Sequence, residues 1–174
     1  MPDRFIEKSR AMLLDECLPK IRLATQALTD DDTWWRPVHG SNSIGNLIVH
    51  IEGNARQWLI GGVGRQPGTR DRDAEFASTS GGSIHTLVDA LTTTFLGIDA
   101  VLGSLTSATL DEPRVIQGEN TSVFDAVFHV VTHVNLHTGQ IIQLAKWRAP
   151  GTVRLYDASG TGFTRLWQPT PRPR

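Results

Sequence analysis

Apolar residues recur at three- and four-residue spacing in four segments of the chain, which predicts four amphipathic helices. No segment alternates apolar and polar residues for long enough to predict a strand. The predicted helices run from about Phe5 to Leu28, from a cap at Ser41–Ser43 to Gly61–Gly62, from Ser83 to Leu105, and from a cap at Thr121–Ser122 to Trp147. Pro19 has no N–H to donate, so the first helix is predicted to kink or break near Leu18.

The connections between these helices differ in length and composition. Residues 64–82 are rich in Gly, Arg and Asp and are predicted to form a long crossover loop, and residues 107–121 a second loop. Residues 151–174 are rich in Gly, Thr and Pro and are predicted to form an irregular C-terminal tail. Four helices with one long crossover between the second and the third predict an all-α four-helix bundle over residues 1–150.

Composition narrows the class of protein. The 174 residues carry 17 basic and 18 acidic side chains with no run of one sign, which argues against nucleic acid or an anionic membrane as a partner. A single cysteine, Cys17, cannot form an intramolecular disulfide, which fits a reducing compartment. The N-terminus does not have the pattern of a signal peptide, so we expect a cytoplasmic protein.

The fourth predicted helix has no acidic or basic residue between Asp125 and Lys146. It is about as long as a membrane span, but its three histidines, its asparagine and its glutamines would be costly in lipid. The helix is therefore expected to be buried in a soluble protein. Because it is apolar nearly all round, it should be buried on more than one side, and we predict a homodimer in which a second bundle packs against it.

Histidines supply the candidate chemistry. His129, His133 and His137 follow one another at four-residue steps, which places them along one face of the fourth helix, where two imidazoles can bind one metal ion. His50 lies on the second helix, and two bundle helices can direct imidazoles at one ion. The polar residues around His50 on its helical wheel are Asn46, Asn54 and Gln57. The alternative is that these histidines are hydrogen-bonded core residues without a metal.

The ligand types also limit the kind of metal site. The Glu-x-x-His pattern of di-iron bundles is absent, because Val130 and Val134 stand three residues before His133 and His137. A site of neutral imidazoles favours one borderline divalent ion over a carboxylate-bridged pair. The sequence also lacks a dinucleotide-binding glycine motif, a phosphate-binding loop and a serine nucleophile elbow.

Several short motifs, in this order, make the chain resemble the DinB-like (YfiT-like) superfamily of metal-dependent four-helix bundles. They are Trp34-Trp35-Arg36-Pro37, the stretch from Ser41 to His50, Gly53-Asn54, Arg72 to Phe76, and the stretch from His129 to Ile141. The resemblance implies that His50, His133 and His137 bind a divalent ion, but it does not fix which one. Three imidazoles suit zinc or nickel first, and iron or manganese second. His129 lies outside that triad, where it could support a ligand, act as a fourth ligand, or serve as an acid–base group.

The resemblance also implies a class of reaction, since characterised relatives include transferases and isomerases that use low-molecular-weight thiols. We therefore expect a metalloenzyme that activates water or a small thiol for transfer or addition to a small electrophile. A metal-dependent hydrolase and a non-catalytic, metal-stabilised or ligand-binding dimer are the alternatives. Candidates to hold the ligands in place or to contact substrate are Asn46, Asn54, Gln57, His129 and Gln140.

Overall fold

The computed structural model describes residues 2–159 and 162–172, and most of them are helical. The helices are α1 (Pro2–Ala11), α2 (Leu18–Thr25), α3 (Asp30–Trp34), α4 (Ile44–Ala55), α5 (Arg72–Ala77), α6 (Ile84–Gly103) and α7 (Val123–Arg148). Met12–Cys17 and Arg56–Val63 are π-helical and Ser107–Thr109 is a 3₁₀ turn. Two antiparallel hairpins pair β1 (Pro113–Ile116) with β2 (Glu119–Ser122) and β3 (Tyr156–Ser159) with β4 (Gly162–Arg165). The all-α bundle is confirmed, because both hairpins are small additions to it.

Serine caps begin the long helices where the sequence predicts them. The hydroxyl of Ser43 accepts the backbone N–H of Asn46 at the start of α4, and Ser83 and Ser122 do the same for α6 and α7. Each cap satisfies one N–H that has no partner inside its helix. The second predicted helix is α4 together with the π-helical segment that continues it to Val63.

The first predicted helix does not break at Pro19. The chain stays helical from Pro2 to Thr25, and the six residues before Leu18 form a π-helical segment in which the Leu18 N–H donates to the carbonyl of Leu13. Pro19 then stands in the first turn of α2, where its missing N–H costs least. Of the predicted kink or break, the break is therefore wrong, and the irregularity near Leu18 is a π-helical segment just before the proline.

The C-terminal segment is more ordered than predicted. Instead of an irregular tail, it forms the β3–β4 hairpin and then runs along the first helix, where Trp167 is only 5% exposed. The Trp167 indole donates to the carbonyl of Asp15 at 3.0 Å, and the Thr170 N–H donates to the carbonyl of Leu14 at 3.0 Å. Residues 160, 161, 173 and 174 of the predicted tail lie outside the described residues, and the domain boundary at residue 150 stays a prediction.

The two predicted loops also contain short elements. Asp71 caps α5 within the segment 64–82, and the segment 107–121 contains the 3₁₀ turn and most of the β1–β2 hairpin. The hairpin turns through Gln117 and Gly118, both with positive φ. It packs close to Gly62, where an added Cβ would lie 2.3 Å from Ile116.

Helix α7 lies inside the bundle and packs against α2, α4 and both π-helical segments. Val127, Val134 and Ala145 are apolar residues of α7 that are completely buried within the single chain. Their burial therefore does not require a second bundle. The apolar side chains of α7 that stay exposed form a different face, which consists of Phe124, Phe128, Leu136 and Trp147. We call these four residues the α7 outer face.

Among the described residues, one helix is long and apolar enough to cross a membrane by those two criteria, namely Ile84–Gly103. Leu91, Phe95 and Ile98 of this helix are completely buried in the bundle. That burial is what the core helix of a soluble bundle shows.

Candidate metal centre

His50, His133 and His137 meet at one place between α4 and α7. The Nε2 atom of His133 lies 3.0 Å from the Nε2 of His50 and 3.1 Å from the Nε2 of His137. One nitrogen from each ring lies within 4.8 Å of the other two. His50 is 5% exposed, and the other two rings are half-buried, so the cluster lies at the edge of the core.

The outer nitrogens determine which way the lone pairs point. The Nδ1 of His50 lies 2.9 Å from the Glu75 carboxylate, and the Nδ1 of His137 lies 2.6 Å from the side-chain oxygen of Gln140. The Nδ1 of His50 carries the proton, because a carboxylate only accepts, and the Nδ1 of His137 carries it where Gln140 presents its oxygen; each Nε2 then presents a lone pair to His133. A proton on the His133 Nε2 could be donated to only one of them.

A cation satisfies this arrangement better than a proton does. Two imidazole nitrogens on a tetrahedral zinc ion, with bonds of about 2.0–2.1 Å, stand about 3.3 Å apart. The separations of 3.0 and 3.1 Å in the cluster are close to that value. The Nε2 of His133 faces the Nε2 atoms of His50 and His137, whereas its buried Nδ1 has no hydrogen-bond partner among the described residues. The triad could therefore hold a divalent ion.

The surroundings of His50, His129 and His133 lower the pKa of each of these rings, which favours the neutral form that binds metals. Burial lowers the pKa of His133 to about 3, and the neighbouring His137 and His50 add to the effect. Burial also lowers the pKa of His50, although its hydrogen bond to Glu75 acts in the opposite direction. The pKa of His129 is lowered by burial and by the positive charge of Arg70. Neutral imidazoles at pH 7 are the ligands that a borderline divalent ion requires.

Two residues of the site come from the crossover segment, and the sequence reasoning missed both. Glu75 accepts from His50, and Arg70 forms a two-bond ion pair with the Glu75 carboxylate at 2.6 and 2.7 Å. Arg70 also donates to the side-chain oxygen of Gln57 at 3.1 Å. The Nη2 atom of Arg70 lies 3.1 Å from the His50 Nδ1, but both atoms are donors, so the carboxylate is their common partner.

Asn46 does not face the triad. Its side-chain oxygen accepts from the backbone N–H of Ser43, and its amide donates to the carbonyls of Glu75 and Ser78 at 2.9 and 2.8 Å. Arg36 donates to the Ser78 carbonyl as well, at 3.0 Å. Asn46 therefore attaches the crossover segment to α4 and acts on the site through Glu75.

His129 lies beside the triad, and not within it. Its Nε2 is 3.5 Å from the amide nitrogen of Asn54, and its ring lies 4.2 Å from the Trp58 ring, centroid to centroid. Two buried polar atoms here have no hydrogen-bond partner within the described part of the chain, namely the side-chain oxygen of Asn54 and the indole nitrogen of Trp58. Gln57 contacts Arg70 of the crossover segment, and Gln140 contacts His137. The five predicted supporting residues therefore serve three parts of the site, namely the crossover segment, the His137 ring and the wall beside the triad.

The remaining two histidines, His39 and His85, are exposed, as their loop and helix-start positions predict. Glu75 and Arg70 had only a weak sequence signal, because a loop has no periodicity that would direct them at His50. Glu75 does lie within one of the motifs quoted for the DinB-like resemblance, Arg72 to Phe76.

The comparisons with known proteins agree with this fold. Residues 4–152 match a family described as a protein of unknown function (DUF1572), and the chain belongs to that family. A crystal structure of a DinB-like protein from Bacillus cereus ATCC 10987 superposes with a TM-score of 0.63 at 18% identity. The match covers 83% of this chain and 91% of that one. No curated protein matches the chain. The resemblance to the DinB-like superfamily is confirmed at the level of the fold.

Proposed function

We propose that this DinB-like member of the DUF1572 family is a metalloenzyme in which His50, His133 and His137 hold one divalent ion. The observation that carries the proposal is the convergence of three imidazole nitrogens whose outer partners, Glu75 and Gln140, direct lone pairs inward. Three protein ligands leave a coordination position open, which is the arrangement of a catalytic rather than a structural site.

Such an ion lowers the pKa of a bound water or thiol, which supplies a nucleophile at neutral pH. The residues of this chain would hold and orient the substrate beside it. Asn54 and Trp58 are buried and each keeps one polar atom unpartnered, an acceptor in Asn54 and a donor in Trp58. Together with His129 they form a polar wall next to the triad, suited to a small polar electrophile.

We favour addition or transfer of a small thiol, and hydrolysis is the second candidate. A non-catalytic role would require a protein group in the open position, and His129 is the nearest candidate for it. Its contacts with Trp58 and Asn54 occupy the ring elsewhere, which supports the open site. The native metal is proposed to be zinc or nickel, because both suit three imidazoles.

Metal content tests the first step. Protein purified without a histidine tag should contain close to one equivalent of divalent metal by elemental analysis, and His133→Ala should lose it. His85→Ala is the matched control, since His85 is exposed and outside the cluster. Full metal content in His133→Ala would show that the triad is assigned wrongly.

Thiol binding tests the second step. Small thiols added to the zinc-loaded protein should stabilise its folded state and so raise its melting temperature. At a thiol concentration of 100 times Kd, the stabilisation is about 2.7 kcal/mol. The metal-free protein should show no rise, because the thiol then has no ion to bind. Equal shifts with and without metal would count against thiol activation and leave hydrolysis as the better candidate.

We further propose that the protein is a homodimer through the α7 outer face. The segment between Asp125 and Lys146 has no charged side chain apart from its histidines, so two copies can pack against each other without repulsion. Phe128 is 54% exposed on this face. Light scattering should report a dimer for the wild type and a monomer for Phe128→Asp. Phe163→Asp, at an exposed aromatic on the β3–β4 hairpin, should leave the dimer intact.

A further inference from the structure

The ligand from α4 is held differently from the two ligands on α7. His133 and His137 belong to one helix, and the outer nitrogen of His137 is bonded to Gln140 on that same helix. The outer nitrogen of His50 is bonded instead to Glu75, which lies 25 residues away in the crossover segment. The geometry of the triad therefore depends on how that segment is attached.

The contact between Glu75 and His50 is buried and fully paired. The two side chains are 6% and 7% exposed, and Arg70, also 6% exposed, neutralises the carboxylate with two hydrogen bonds. Gly53 gives the carboxylate its space, since a Cβ there would lie 2.2 Å from the Glu75 Oε1. A buried carboxylate with this many partners has a fixed position, so it can fix the imidazole that donates to it.

We propose that Glu75 is a positioning residue for the metal centre, and that Arg70 holds it in place. By accepting the Nδ1–H of His50, Glu75 would fix both the ring orientation and the tautomer in which the Nε2 lone pair faces His133. A carboxylate behind a ligating histidine also raises the basicity of the ring. Glu75 lies on the outer side of His50, away from the other two rings, so it is not placed to contact substrate.

The crossover segment is thereby a part of the metal centre. Besides Glu75, its attachment includes Asn46 and Arg36, which both donate to backbone carbonyls between residues 75 and 78. This inference rests on the proposed metal site for its effect on affinity. Its effect on the His50 tautomer requires no metal, so the two can be tested separately.

The test compares Glu75→Gln with Glu75→Asp and with the wild type. Glutamine keeps the size and removes the charge, whereas aspartate keeps the charge beside Arg70 and withdraws the carboxylate from His50 by one methylene. Asp99→Asn is the matched control. It breaks another two-bond ion pair, between Asp99 and the partly exposed Arg10 at 2.8 Å, together with the contact of Asp99 with Arg172; neither shares a hydrogen bond with the histidine cluster.

Two readouts separate positioning from stability. The first is the long-range ¹H–¹⁵N spectrum of the imidazoles in metal-free protein, in which wild-type His50 should be protonated at Nδ1. Both Glu75 variants should show mixed tautomers, because the glutamine amide can present either its oxygen or its NH2 to the ring and the aspartate carboxylate is withdrawn from it. The second is the affinity for Zn²⁺ by chelator competition, which should fall 10- to 100-fold in both variants. Asp99→Asn should lower the melting temperature while leaving the tautomer and the Zn²⁺ affinity at wild-type values.

A wild-type tautomer and affinity in Glu75→Gln and Glu75→Asp would overturn the proposal. So would an equal loss of affinity in Asp99→Asn, because the effect would then come from general destabilisation. If the wild-type protein itself binds no Zn²⁺, the proposed function fails, and the tautomer spectrum still decides the role of Glu75.

Discussion

Substituting Gly53 by alanine should destabilise this protein, although glycine to alanine inside a helix ordinarily stabilises. Gly53 lies within α4, where the alanine is worth about 1 kcal/mol in helix propensity. The new Cβ would lie 2.2 Å from the Glu75 Oε1 and 3.1 Å from the Arg70 Nε. The carboxylate cannot turn away freely, because the same oxygen accepts from Arg70 at 2.6 Å.

The magnitude follows from these opposing effects. Breaking a buried ion pair costs about 3–5 kcal/mol, so the propensity gain leaves a net loss of about 2–4 kcal/mol. For a chain of this length, each 1 kcal/mol shifts the melting temperature by roughly 2–4 °C, so Gly53→Ala should melt at least about 4 °C lower. Gly97→Ala is the control, because Gly97 lies within α6 and its added Cβ meets only Ile60, at 3.4 Å.

Chemical denaturation of the metal-free proteins, monitored by circular dichroism, measures both variants. The control should be unchanged or stabilised by up to about 1 kcal/mol. If Gly53→Ala is as stable as Gly97→Ala, the carboxylate has room to move, and the tight Arg70–Glu75–His50 arrangement on which the positioning argument rests is refuted.

Two further predictions concern the rest of the bundle. Trp167→Ala should lose about 3 kcal/mol of unfolding free energy in urea denaturation, because it removes a nearly buried indole and its hydrogen bond to the Asp15 carbonyl. Replacing the exposed Phe163 by alanine should change the unfolding free energy by no more than about 0.5 kcal/mol. Equal effects would mean that the C-terminal segment does not stabilise the first helix. The hydrogen bond from Arg10 lowers the pKa of Asp99, so this carboxylate stabilises the fold above its unfolded pKa of about 3.9 and loses that contribution as pH falls through the lower folded value. The difference in unfolding free energy between wild type and Asp99→Asn should therefore be large at pH 7 and shrink towards pH 3, and a difference independent of pH would contradict this reason.

The helix boundaries could be predicted because their causes are local. Ser43, Ser83 and Ser122 each cap a helix with a bond to a residue three positions on, and that relation is visible in the sequence. The β1–β2 hairpin has a weaker local signal. Its turn places positive φ on Gln117 and Gly118, whereas the strong sequence signal for such a turn is Asn-Gly or Asp-Gly.

Other features could not be predicted because their causes are distant in the sequence. Pro19 indicates a defect in the first helix, but nothing near it shows that the carbonyls of Leu14 and Asp15 would bond to residues near the C-terminus. The π-helical segment directs the Leu18 N–H to Leu13, which leaves the Leu14 carbonyl for the N–H of residue 170. A local irregularity is thus stabilised by a segment more than 150 residues away, beyond the end of the family match at residue 152.

The histidine series on α7 shows how equal spacing leads to unequal roles. Each step of four residues turns the side chain by about 40°, so three successive rings cannot all face one point. His133 and His137 face His50, whereas His129 packs against Trp58 beside Asn54. The spacing alone could not show this division, because it depends on where α4 directs its own side chains; the DinB-like resemblance did imply it. The same rotation that removes His129 from the triad leaves its ring 5.6 Å from the ring of His133, centroid to centroid, so His129 lies beside the cluster without belonging to it.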